Sequence, residues 1–345
     1  MLAIRHINAR GGVLGRMLWQ KEYDDQSPDD SVAIAKKIVK DGFKFVIGHP
    51  LSQHALATSD IYEDNGVLMM NPAATIPEVT ARGHRLLFRT VGTDDTQAAV
   101  ACDWIAHRVK PRIMGEIEII YADWITQTVK PGARIAVLHD KKMYGEGIAS
   151  AVKEGLKKRG VEVSLYEGIT AGAWDHSAVM DRLMQSEIDL VYYGGYFSEL
   201  THILCQASAA GINAKFMSSD AAAVCSMRSA GDPAEGLLLT SSGRFYELEK
   251  HRAMTREMAN DGPFGRIMTN PMTFLSYAAV EVLAQAIKTA GDCDDTSKIA
   301  QIIRSRKFRT TAGSLSFKPN GDLTTPSFVV EECEVKRVVV SSRAI

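Results

Sequence analysis

The stretch from Phe43 to Thr75 reads FKFVIGHPLSQHALATSDIYEDNGVLMMNPAAT. Two short apolar runs, FKFVIGH (Phe43 to His49) and VLMM (Val67 to Met70), flank a segment of helical character from roughly Gln53 to Asn65. Each apolar run ends in turn-forming residues. Gly48 and His49 close the first before Pro50, and Asn71, Pro72 and two alanines follow the second. A strand, a helix and a strand in that order make a βαβ unit. Its two strands lie parallel in a sheet that is covered on both faces.

The same grammar runs outward in both directions. A helical stretch from Asp30 to Asp41 precedes the first strand. RLLFRTVG (Arg85 to Gly92) is the next strand, followed by a helix from about Asp95. ARIAVLHD (Ala133 to Asp140) leads into a helix ending near Gly160, and then VEVSLYEG, IDLVYYGGY and AKFMSSD continue the alternation. Strands separated by helices of this length predict an α/β fold with parallel sheets.

The length of 345 residues allows two domains of ordinary size. Forty basic and forty-one acidic residues leave a net charge of −1, which gives no electrostatic footprint for nucleic acid. The N-terminus, MLAIRHINARGG, shows no basic lead, apolar core and small-residue cleavage site. It reads as the end of a helix stopped by Gly11 and Gly12, so the chain as written looks truncated. The five cysteines, Cys102, Cys205, Cys225, Cys293 and Cys333, are scattered and show no metal-ligand spacing.

In open parallel α/β sheets, ligands bind outside the carboxyl ends of the strands. The residues there are His49 to Ser52, Asn71 to Thr75, His139, Asp140 and Tyr144, Gly194 to Tyr196, and Ser218 to Asp220. Ser52 and Thr75 each lead toward a helix, whose free N–H groups and dipole suit an anion. Ala73 and Ala74 let a ligand approach the backbone. The same placement also fits residues that merely cap their own helices. Asp220 suits an ammonium group or a helix cap. Tyr144 and Tyr196 suit a pocket wall or ordinary packing.

Catalytic patterns are weak. Gly145-x-Gly147-x-x-Ser150 lacks the third glycine of a dinucleotide fingerprint, and no phosphate-binding GxxxxGK[ST] occurs. GDCDD (Gly291 to Asp295) lacks the glycine and distal glutamate of a calcium loop and reads as a turn and cap. The expectation is a protein that is not an enzyme, with no cofactor and no metal.

Five blocks carry a family resemblance: VIGHPLSQHALATSDIYEDNGVLMMNPAATIPEVTARG, HDKKMYGEGIASAVKEGLKKRG, EGITAG, IDLVYYGGYFSEL and DPAEGLLLTSS. Together they resemble the leucine/isoleucine/valine-binding proteins of bacterial ABC transporters, from about Leu2 to about Val330. The resemblance implies a type I periplasmic-binding-protein-like fold, two Rossmann-like lobes joined by three hinge crossovers. It also implies capture of a branched-chain or similar aliphatic L-amino acid by hinge closure. Delivery to a membrane permease of an ABC transporter follows, by a monomer in the periplasm. The family's carboxylate cradle maps onto Ser52, Ala73 and Thr75. Its ammonium partners map onto an alanine carbonyl and Asp220, and its ligand-side tyrosines onto Tyr144 and Tyr196.

By the same resemblance, lobe 1 comprises 1–92 and 243–323, and lobe 2 comprises 93–242 and 324–345. The family's opening strand in lobe 1 has no counterpart here, which predicts a gap in that sheet. The segment 112–131 is extra. Asp103-Trp104-Ile105…Val109-Lys110-Pro111 recurs as Asp123-Trp124-Ile125…Val129-Lys130-Pro131, six identities in nine positions. A disulfide that some members place beside the binding loop is absent. Asp220 is one methylene shorter than the family's usual glutamate. Two other readings use the same fold, a sensory amino-acid-binding module and a truncated remnant that no longer binds.

Overall fold

Beginning at its N-terminus, the chain alternates helix and strand as far as the last sheet, in a computed structural model that describes residues 2–109, 132–222, 230–243, 248–260 and 270–333. The duplicated segment 112–131 lies outside these residues. Contacts divide the chain into two units, Met1–Ala98 with Ser241–Val329, and Ala99–Thr240 with the stretch from Val330. The chain therefore passes three times from one unit to the other. The first passage falls at Ala98, inside the single helix Asp94–Val109.

The first unit opens with α1 (Leu2–Asn8), α2 (Pro28–Lys40), β1 (Phe45–Ile47), α3 (Ser52–Asp64), β2 (Leu68–Asn71), α4 (Glu78–Ala81) and β3 (Leu87–Arg89), and then α5 (Asp94–Val109) leaves it. Helix α2 starts two residues before the Asp30 read from the sequence. Ser27 caps the Asp30 N–H, Pro28 occupies the first turn, and Lys37 and Lys40 face the negative end of the dipole. Strands β1, β2 and β3 pair in parallel, in that order, with Ile47 opposite Met70 and Met70 opposite Phe88. Side chains alternate by two. Leu68, Met70 and Phe88 join one apolar cluster, and Met69 and Leu87 join another with Ala35 of α2 and Tyr62 of α3.

The second unit contains β4 (Ile135–His139), α6 (Met143–Lys158), β5 (Val163–Gly168), α7 (Ser177–Gln185), β6 (Leu190–Gly194), α8 (Phe197–Ala209), β7 (Lys215–Ser218) and β8 (Leu238–Ser241). Its sheet has the order β11-β8-β7-β6-β4-β5, where β11 is Val329–Glu332. Strands β5, β4, β6, β7 and β8 pair in parallel. That order reverses direction between β4 and β6, a topological switch point where the loops diverge and leave a crevice.

The remaining elements return to the first unit as α9 (Arg252–Asn260), α10 (Pro271–Ala290), α11 (Thr296–Ser305), β9 (Phe308–Thr310) and β10 (Gly313–Leu315). Helix α10 begins with a reciprocal capping box between Asn270 and Thr273 and ends at Gly291, whose φ of 68° suits a left-handed cap. Its Ala278, Val282 and Ala286 cover the Leu68–Met70–Phe88 face. Strands β9 and β10 form an antiparallel hairpin beside it.

Candidate ligand-binding site

In the first unit the candidate residues sit on the loops after β1 and β2. Ser52 is the first residue of α3, and Leu51, not Ser52, occupies the cap position, with no side-chain capping bond. Helix α4 is likewise capped in position by Pro77 rather than by Thr75. The capping alternative therefore holds for neither residue. Both are nearly buried, at 3% and 2% exposure. Among the described residues, no hydrogen bond from the protein engages either hydroxyl or the Thr75 N–H. Ser52 also opens a helix, where the Ser52 and Gln53 N–H groups have no partner inside the helix and the His54 N–H turns back to the Leu51 carbonyl at 3.1 Å.

The NPAATIPE loop, Asn71 to Glu78, owes its shape to two residues, Asn71 and Arg89. The Asn71 side-chain oxygen accepts from the N–H groups of Ala73 (3.0 Å) and Ala74 (2.7 Å). Its amide donates to the His49 carbonyl at 2.9 Å, which ties the two loops together. The Ala73 N–H is thus already used, and what Ala73 has left to offer is its carbonyl. From below, the fully buried Arg89 donates to the carbonyls of Ile76 (2.9 Å) and Ala74 (3.3 Å). Its Nε reaches Asp322 at 2.7 Å, and its terminal nitrogen reaches the Thr80 hydroxyl. Burial pushes the Asp322 carboxyl upward. The Arg89 charge and the hydrogen bonds from Thr80, Asn320 and Arg89 outweigh it, and the group titrates below its ordinary value.

The loop after β1 is braced by His49. Its Nδ1 lies 2.5 Å from Asp25 and its Nε2 lies 2.9 Å from the Tyr62 hydroxyl. Burial lowers the His49 pKa more than Asp25 raises it. His54, on α3, also contacts Asp25, at 3.0 Å.

In the second unit, Tyr144 is the second residue of α6 and follows β4. Tyr196 is the cap residue of α8 and follows β6. They flank the switch point, with ring centroids 5.3 Å apart. The Tyr144 hydroxyl donates toward Ser219 Oγ at 2.8 Å and Asp220 Oδ1 at 3.2 Å. The geometry therefore brings Tyr144, Tyr196 and Asp220 into one cluster. Asp220 opens a single 3-10 turn, Asp220–Ala222, beyond β7. Lys142 lies 5.9 Å from the centre of the Tyr196 ring. Gly145 has a packing reason: a Cβ there would stand 2.2 Å from Asp140 Oδ1 and 2.7 Å from the Gly194 carbonyl. That close approach accounts for the glycine without a dinucleotide.

A family model for periplasmic binding proteins matches residues 1–333. The chain belongs to the periplasmic binding protein family. It is 39% identical over 336 residues to a leucine-, isoleucine-, valine-, threonine- and alanine-binding protein of Pseudomonas aeruginosa, covering 96% of this chain and 83% of the relative. A Leu/Ile/Val/Thr-binding protein of Salmonella typhimurium is 40% identical over 325 residues, covering 93% and 81%. Among solved structures, a leucine binding protein from Thermotoga maritima superposes with a TM-score of 0.81 at 25% identity, covering 96% of this chain and 89% of that one.

Sequence reasoning about this periplasmic binding protein missed Asn71 as a loop staple, Arg89 as the support beneath the loop, and Ser219 beside Tyr144. Arg89 did leave a signal. An arginine inside the apolar run RLLFRTVG is either an edge residue or a buried ion with a partner, and here it is 0% exposed. Its partner, Asp322, is far away in sequence and could not be named from it. Among the described residues, one grouping of three potential metal donors occurs, Asp292, Cys293 and Asp294, within 4.8 Å of one another. Neighbouring Asp295 caps α11 through the Lys298 N–H at 2.9 Å, the cap role expected of that stretch.

Proposed function

We propose that this periplasmic binding protein captures branched-chain or similar aliphatic L-amino acids by hinge closure and delivers them to an ABC permease. The observation that carries the reading is the chemical division between the units. The first offers the hydroxyls of Ser52 and Thr75, the Thr75 N–H and the first turn of α3, all donors, with Ala73 contributing a carbonyl. The second offers a carboxylate, Asp220, within reach of Tyr144. Donors suit an α-carboxylate, and the acid suits an α-ammonium group. A zwitterion is the ligand that satisfies both. Burying its charges is tolerable because each meets an opposite or hydrogen-bonding partner.

Tyr144 and Tyr196 supply rigid apolar surface with polar tips for the side-chain end of the site. Such a surface separates valine from leucine or isoleucine, whose side chains each carry one more carbon, by only about 1–3 kcal/mol, and overlapping recognition follows. Closure requires the ligand to contact the two units differently in the open and closed states. The names of the relatives, which bind leucine, isoleucine and valine, support the ligand class. We place the protein in the periplasm, as a monomer, on the ground of its family.

The test is a thermal-shift scan of the purified chain against all twenty L-amino acids. A ligand at 100 times its dissociation constant stabilises the folded state by about 2.7 kcal/mol. Shifts confined to leucine, isoleucine, valine and close analogues support the reading. A cooperative transition that no amino acid moves overturns it.

A further inference from the structure

In the second unit, His176 occupies the cap position of α7, where Ser, Thr, Asp or Asn is usual, and its side chain makes no capping bond. It is 4% exposed. The Ala173 carbonyl accepts from its ring, and Nε2 has no partner, which leaves Nδ1 as the donor. Nearby on α8 stands His202, whose Nδ1 is also buried and without a hydrogen-bond partner among the described residues. The two ring centres lie 6.5 Å apart, with 32° between their planes. Trp174 closes the group on the solvent side, its exposed ring stacked on His202 at 4.7 Å. Gln206, one turn along α8, fixes the loop at both ends of this group. Its Oε1 accepts from the His176 N–H at 2.7 Å, and its Nε2 donates to the Trp174 carbonyl at 2.5 Å. A loop and a helix thus bring together two imidazoles, each with a buried nitrogen that the protein leaves unsatisfied.

We infer that His176 and His202 bind one divalent transition-metal ion of the imidazole-preferring kind, zinc, nickel or copper. The Ala173 bond is the arrangement that suits a metal-binding histidine. A carbonyl on one ring nitrogen fixes the tautomer and leaves a lone pair on the other. Burial, and then the neighbouring His202, hold the His176 pKa below its ordinary value, which favours the uncharged ring that a metal requires. Buried nitrogens without partners are costly, and one cation relieves both. A metal about 2 Å from each nitrogen holds two ring centres roughly 5–6 Å apart, so a shift of about 1 Å in the half-buried His202 ring completes the pair. Asp175 and Glu199 act on His176 with negative charge, which suits a cation at the same place. With two protein ligands, water takes the remaining positions. The two histidines lie on different elements, and no spacing rule in the sequence connects them. This site goes beyond amino-acid binding and does not depend on it.

The experiment titrates nickel(II) into the purified 345-residue chain, read by calorimetry and by tryptophan fluorescence. The expected result is saturable binding at this site with quenching of Trp174, and Trp174→Phe should remove the quenching while the ion still binds. Loss of an outer-shell partner alone costs a metal site about tenfold or more, so His176→Gln and His202→Gln should each weaken binding by at least about tenfold. Both variants should still unfold cooperatively, and the half-buried position of His202 makes its variant the safer of the two. Cys293→Ser should bind nickel as the parent does, which separates this site from the Asp292, Cys293 and Asp294 grouping. Three results overturn the inference. The first is no saturable binding, which assigns the two nitrogens to a bridging water. The second is parental affinity in both histidine variants. The third is binding that Cys293→Ser abolishes.

Discussion

The two units present their candidate residues from the same places, the carboxyl ends of parallel strands, yet they hold them differently. In the first, Ser52 and Thr75 keep their hydroxyls free of protein partners among the described residues, while Asn71, Arg89 and His49 fix the loops around them. In the second, Tyr144, Ser219 and Asp220 contact one another directly, and the side chains themselves form the cluster. In the first unit the support lies behind the candidate loops. The second is a side-chain constellation at a switch point. The difference teaches that removing a supporting residue should matter most in the first unit, and removing a contacting residue most in the second.

The largest effect is expected for Arg89→Met. It leaves the partly buried Asp322 carboxylate to Thr80 and Asn320 alone, and the Ala74 and Ile76 carbonyls without their donor. Loss of one partner of a fully buried pair costs about 3–5 kcal/mol, an upper bound here that urea unfolding would read. Amino-acid affinity should fall as well, since the loop loses its support. A variant as stable as the parent would mean that the loop supports itself.

Asp220→Asn should weaken binding by about 2–5 kcal/mol in calorimetric titration, through loss of the charged partner of the ammonium group. The thermal midpoint without ligand should stay close to that of the parent. Comparable losses of binding and of stability would make Asp220 a structural residue and erase the contrast with Arg89.

Thr75→Val keeps the shape and removes a hydroxyl. A hydrogen bond to a charged group is worth about 1.5–3 kcal/mol, so affinity should drop by roughly tenfold to a hundredfold. Unchanged affinity would remove Thr75 from the cradle.

The smallest effect is in pH. His49 and His139 both have pKa values lowered by burial, and each ends or follows a strand, one per unit. In the unfolded chain such groups take up protons near pH 6.5. The unfolded state then binds more protons, so the stability contributed is full above that pH and declines as pH falls below it. Asp322, held below its ordinary value, adds a second decline below about pH 4. Urea midpoints at pH 7.5 and 5.5 should fall in that order, and His49→Gln should flatten the slope. A midpoint that rises on acidification would contradict the sign.

Much of the fold was legible because strand periodicity and turn residues are local signals. FKFVIGH, VLMM and RLLFRTVG predicted strands at Phe45–Ile47, Leu68–Asn71 and Leu87–Arg89, trimmed by a residue or more at most ends. Helix α2 was read from Asp30, and its Ser27 cap and Pro28 start, local signals too, were not read. The β9–β10 hairpin was not read, because each strand is three residues long and carries too little pattern. At the candidate site, the residue types and their strand-end positions were visible. Their supports were not. The Arg89–Asp322 pair joins residues far apart in the chain, and whether Ser52 caps α3 depends on the backbone at Leu51, which no spacing rule fixes.

The central claim is that one half recognises a carboxylate and the other an ammonium group. Calorimetric titration of the parent protein with L-leucine, 4-methylpentanoate and L-leucinamide tests it most directly. The account predicts binding of L-leucine, with both analogues weaker by a hundredfold or more, since each lacks one charge. Binding of either analogue as tightly as L-leucine would contradict it.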